Sequence, residues 1–87
     1  MAINVWRATV GAAVETVKET QTAIAGQTVF TLTSITYVPG SGNLFVYING
    51  VKQIEGASNA YTETDPTTVT FTSGLDAGDE VQFVNFL

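Results

Sequence analysis

An antiparallel, all-β domain is the fold expected of this 87-residue chain. Three features carry the expectation. From about residue 28 onward threonine, valine, phenylalanine and tyrosine dominate, and their branched and aromatic side chains suit a pleated, half-buried surface. Short runs alternate apolar and polar residues with a period of two. Asn49-Gly50 separates two such runs, which is the mark of a tight hairpin on a type I′ turn. That turn needs positive φ at both central residues, and Asn and Gly adopt it cheaply.

The N-terminal segment is the exception. Ile3, Val10, Val17 and Ile24 stand seven apart, with Ala13 and Val14 between them, a helical or short coiled-coil spacing. Against a helix, Thr9, Val10, Val14, Thr16, Val17, Thr20 and Thr22 are β-branched and Gly11 interrupts the window. Residues 14–24 fit a strand leading into Gly26 equally well, so both readings stay open. In either form residues 1–24 are expected to be an N-terminal arm for anchoring or oligomerisation, ahead of a β module at 25–87. An apolar terminal arm frays unless something holds it. Ile3, Trp6, Val10, Val14 and Val17 are therefore its candidate partner contacts, and removal of 1–24 should leave a folded module.

Within the module, residues 28–33 alternate, with Phe30 and Leu32 on one face. Pro39, Gly40 and Gly42 then break the chain as a loop. Leu44–Ile48 and 51–54 are the two arms of the Asn49-Gly50 hairpin. A polar connection over 55–60 leads to a short strand from Tyr61, ended by the Asp65-Pro66 turn. Residues 68–72 alternate with Val69 and Phe71 inward, and 73–79 read as a turn-rich link to a last strand, Glu80–Phe86. There Val81 and Phe83 share one face while Val84 and Phe86 share the other. A strand apolar on both faces is covered on both. A neighbouring subunit is the expected second cover, with Phe45, Tyr47, Val84 and Phe86 as the candidate interface.

Composition narrows the chemistry. The chain has no histidine and no cysteine, which removes the commonest general base, the thiolate nucleophile and the usual zinc ligands. Ser34, Ser41, Ser58 and Ser73 lie in loop or turn contexts, with only Lys18 or Lys52 as activating partners. No glycine-rich phosphate motif precedes a helix. Asp76, Asp79 and Glu80 have oxygen ligands that suit calcium, but acidic residues in such a place are ordinarily turn formers and strand-end solubilisers. The expectation is a non-enzyme with no catalytic, cofactor or metal residues.

Charge narrows the partners. Three basic residues stand against eight acidic ones, net −5. Nucleic-acid binders need clustered Lys and Arg, so nucleic acid is not an expected partner. No apolar run approaches the roughly 20 residues that span a bilayer, and residues 1–7 lack the pattern of a signal peptide. No membrane insertion is expected, and synthesis is expected in a cytoplasm. A domain of this size buries only about 60–65% of its unfolded surface, and disulfides are impossible here. With 45% of residues hydrophobic, oligomerisation is the expected source of further stability.

A resemblance gives this reading a setting. The stretch Ala25-Gly26-Gln27-Thr28-Val29-Phe30-Thr31-Leu32 resembles the opening of a β module that recurs in phage tail-fibre and related virion proteins. The likeness continues from Tyr37-Val38-Pro39-Gly40 through Leu44-Phe45-Val46-Tyr47-Ile48-Asn49-Gly50-Val51-Lys52-Gln53. It closes with Tyr61-Thr62-Glu63-Thr64-Asp65, Thr68-Val69-Thr70-Phe71-Thr72-Ser73-Gly74-Leu75 and Ala77-Gly78-Asp79-Glu80-Val81. The resemblance implies a small β sandwich or barrel-like domain, often trimeric, built into a virus particle. Fibres carrying the module usually continue into shaft or tip domains, whereas this sequence stops at Leu87. Capsid decoration (cement) and a tail-fibre or adaptor role are therefore both implied. The expected function is a bacteriophage virion structural protein, a homotrimer contacting other virion proteins. The alternative is a receptor- or carbohydrate-binding module, with Tyr37, Phe45, Tyr47 and Tyr61 as sugar-stacking candidates for a host surface glycan.

Overall fold

The computed structural model describes residues 15–87, which fold as two antiparallel sheets packed into a sandwich. Seven strands form it: β1 (Thr16–Thr22), β2 (Gln27–Thr31), β3 (Leu44–Ile48), β4 (Val51–Lys52), β5 (Tyr61–Asp65), β6 (Thr68–Leu75) and β7 (Glu80–Phe86). The first sheet has the order β1-β7-β3-β4 and the second β2-β6-β5. Only β3–β4 and β5–β6 are hairpins within one sheet; every other connection crosses between sheets. The all-β, antiparallel fold expected from the sequence is observed, and of the sandwich and barrel-like forms implied by the resemblance it takes the sandwich.

Alternation builds the core. Val81 and Phe83 of β7 point inward, opposite Phe30 of β2 and Val69 and Phe71 of β6, and all five are buried. Phe30 joins the two layers, with its ring 5.4 Å from Phe71 in its own sheet and 5.9 Å from Phe83 across the sandwich. Loop residues Leu32, Ile35 and Tyr37 fill the end of this core. The buried Tyr37 hydroxyl donates to the Thr68 carbonyl at 2.6 Å, which keeps a phenol inside without an orphaned donor. Burial, reinforced by the carboxylates of Glu63 and Asp65, holds that phenol well above its ordinary pKa.

The hairpin forms as expected. Ile48 pairs with Val51, and the turn has φ of 49° at Asn49 and 84° at Gly50. An added Cβ at Gly50 meets no atom within 4 Å, so only the backbone resists a side chain there. Gly50→Ala is expected to cost about 1 kcal/mol, read as a lower urea midpoint at unchanged slope.

The structure departs from the sequence reading in three places. The return strand β4 is only Val51–Lys52, because the chain then leaves to cross to the other sheet. Residues 73–75 belong to β6 and are not a link: Leu75 pairs with Gln27, and Gly74 lets the backbone of Gly26 approach. A Cβ at Gly74 would stand 2.9 Å from Gly26 Cα. Most important, the boundary at residue 24 cuts through the fold. β1 lies within the expected arm, yet it pairs with β7 over its whole length, from Thr16↔Phe86 to Thr22↔Glu80. Removing residues 1–24 would strip the first sheet of a strand, so only 1–14 remain outside the described sandwich. Ile3, Trp6, Val10 and Val14 lie among those residues, outside what the structure describes.

Candidate functional site

The two sides of the sandwich are finished differently. On the β1 side the gap between sheets is closed by polar groups. Glu19 faces inward, in register with Phe83. Its carboxylate accepts N–H bonds from Thr33 at 2.9 Å and Ser34 at 2.8 Å, and one from Gln21 Nε2 at 2.7 Å. Gln21 Nε2 also donates to the Thr31 carbonyl at 2.9 Å. Burial raises the Glu19 pKa, but the hydrogen bonds from Ser34, Thr33 and Gln21 outweigh it and leave the group below its usual 4.5. Val17, an expected partner contact, instead packs against the chain's own core beside this clamp.

On the β4–β5 side a cleft of about 250 Å³ stays open. Leu44, Phe45, Ile54 and Tyr61 give it apolar walls; Lys52, Glu55 and Glu63 give it charge. Tyr61 is buried, and burial together with the carboxylates of Glu63 and Glu55 pushes its phenol up to about 12. It stays neutral at physiological pH. Glu63 also accepts the Gly40 N–H at 2.6 Å, which ties the 40–42 loop to the rim.

The outer face of the four-stranded sheet joins these two sides. Register places Val84 between Lys18 of β1 and Phe45 of β3, and Gln82 between Thr20 and Tyr47. Phe86 follows two residues on, its ring 5.1 Å from that of Phe45. Lys52 pairs with Tyr47 and holds its Nζ 5.2 Å from the Phe45 centroid, within cation–π range. Phe45, Tyr47, Val84 and Phe86, singled out from sequence, are thus one continuous patch. Val84 is shielded by its neighbours at 9% exposure, whereas Phe86 remains 38% exposed. Both lysines of the chain flank this patch, which sequence reading missed. Their strand positions alternate with the core face, and that was the available signal.

Other expected residues fall elsewhere. Of the sugar-stacking candidates, Tyr37 and Tyr61 are 2% exposed because their rings belong to the core, leaving only Phe45 and Tyr47 at the surface. Asp79 accepts the Asp76 N–H and the Asn49 side-chain N–H, both at 3.0 Å, so its carboxylate caps turns. Asp65 accepts the Thr67 N–H at 3.0 Å, and this bond holds its pKa down. Among the described residues no three or more acidic side chains gather as metal ligands. Near the end of the sandwich where residue 15 joins β1, Asn85 is buried in register with Val17 and Leu44. Its Oδ1 has no hydrogen-bond partner among the described residues.

No protein-family model matches the chain, and no curated protein matches it significantly.

Proposed function

We propose that this chain is a non-enzymatic structural component of a bacteriophage particle, assembled as a homotrimer through the outer face of its four-stranded sheet. The observation that carries the assembly reading is the aromatic patch of Phe45, Tyr47, Val84 and Phe86. Phe86 is exposed there, Phe45 and Tyr47 are half-buried and Val84 is covered, and partly exposed aromatic clusters are frequent anchors of protein contacts. The phage setting and the trimer follow from the resemblance over residues 25–84. The role is architectural, in capsid decoration or as a tail-fibre or adaptor part, and the site of action is the virion. Mass spectrometry of purified particles should detect the chain. A Phe45→Asp/Phe86→Asp double variant should fold, by its circular dichroism, yet be missing from particles. Undiminished incorporation of that variant would contradict the assigned face.

A further inference from the structure

We infer that Asn49 is a covalent modification site, converting by loss of ammonia to aspartate or isoaspartate, and that the folded chain restrains this conversion by holding the Asn49 side chain on β7. The restraint acts within one chain and is independent of how the protein assembles.

Sequence and exposure make the site. Of the asparagines at 4, 43, 49, 59 and 85, only Asn49 precedes a glycine. With no side chain on the following residue, its backbone nitrogen is unshielded and can attack the asparagine Cγ. Both turn residues are exposed, and a Cβ on Gly50 would meet no atom within 4 Å. In the reaction the Gly50 nitrogen loses its proton and bonds to Asn49 Cγ, the Cγ–Nδ2 bond breaks, and Nδ2 leaves as ammonia. Water then opens the cyclic imide. Cleavage between the nitrogen and Cγ gives aspartate; cleavage between the nitrogen and the main-chain carbonyl carbon gives isoaspartate.

The fold holds the side chain off that path. Asn49 follows Ile48, which pairs with Val81, and it carries the β3–β7 contact one residue further, to Glu80. Its main-chain N–H donates to the Glu80 carbonyl at 2.8 Å, its Oδ1 accepts the Glu80 N–H at 2.9 Å, and its Nδ2 donates to Asp79 Oδ1 at 3.0 Å. Asp79 is itself fixed, since its Oδ2 accepts the Asp76 N–H at 3.0 Å. For Cγ to reach the Gly50 nitrogen, both ends of the amide must leave β7, and the bond to a carboxylate is the stronger of the two. The same contacts give the products a consequence. Aspartate tolerates the positive φ of 49°, but it has no N–H to give Asp79, so carboxylate would face carboxylate. Isoaspartate lengthens the main chain by one carbon, which the two-residue turn between Ile48 and Val51 does not accommodate. Conversion therefore loosens the hairpin tip from the start of β7.

Peptide mass spectrometry of the full-length protein, incubated at mildly alkaline pH, reads conversion residue by residue. Protein unfolded in urea should convert at Asn49 about tenfold faster than folded protein, the ratio given by 1.4 kcal/mol, while Asn43 and Asn59 stay unchanged in both. Asp79→Ala, folded by its circular dichroism, should convert faster than the parent at Asn49 alone. Asp79→Asn keeps an acceptor oxygen and should stay slow. Asn49→Asp, the product made directly, should unfold at a lower urea concentration than the parent. Equal rates in folded and unfolded protein overturn the restraint, as does a folded Asp79→Ala that converts no faster than the parent. Absence of conversion in urea overturns the site itself. Where Asp79→Ala fails to fold, the parent compared with and without urea decides alone.

Discussion

Phe30→Ala should leave a protein with little or no cooperative unfolding transition at room temperature. Phe30 is fully buried and is the ring through which the two sheets touch, facing Phe71 on one side and Phe83 on the other. Truncating a buried phenylalanine costs about 3–5 kcal/mol, part lost burial and part the cavity left behind. Small domains sit near the low end of the usual range of about 5–15 kcal/mol. One such loss therefore approaches the whole margin. Urea titration followed by circular dichroism measures it, and Phe30→Leu should retain most of the stability. If alanine at this position shifted the transition by less than about 1 kcal/mol, the sheets would have to be held together elsewhere.

Glu19→Ala comes next in size. The carboxylate satisfies the backbone N–H groups of Thr33 and Ser34, and its removal leaves them without an acceptor. A charged hydrogen-bond partner lost from such a place costs about 3 kcal/mol. At about 4–8 °C per kcal/mol for a domain of this size, the melting temperature should fall by roughly 12–24 °C. The pH dependence has a definite sign. Because the folded-state pKa of Glu19 lies below 4.5, the unfolded chain takes up the proton first. The contribution is complete above the unfolded value and is lost as pH falls through the folded one. Asp65, also held low, acts in the same direction. Glu19→Ala should therefore melt low at neutral pH and lose less on acidification than the parent. Equal acid sensitivity in parent and variant would remove Glu19 from that role.

This clamp explains why β1 was ambiguous in the sequence while the rest of the sandwich was not. β6 and β7 announce themselves by alternation, since Val69 and Phe71, or Val81 and Phe83, enter an apolar core. The inward residues of β1 are Val17, Glu19 and Gln21, and two of these three are held by hydrogen bonds. A period-two hydrophobic search cannot see such a strand. The seven-residue spacing of Val17 and Ile24 drew attention instead, and it carries no packing meaning: Ile24 is largely exposed in the turn after β1.

The Asn49-Gly50 hairpin was legible because local backbone sterics decide it. The extension of β6 through Ser73 and Gly74 was not, because it depends on Gly26, nearly fifty residues away in the chain. The candidate site divides in the same way. Its four patch residues could be read from strand parity, whereas the placement of Lys18 and Lys52 around them depends on the order β1-β7-β3-β4. The cleft needs the crossing from β4 to β5, which no local pattern encodes.

Sedimentation equilibrium of the full-length protein at micromolar concentration bears most directly on the claim that neighbours cover the outer sheet face. The mass of a trimer, dissociating on dilution and weakened by Phe86→Asp, is the predicted result. A single 9.2 kDa species throughout the concentration range would contradict it.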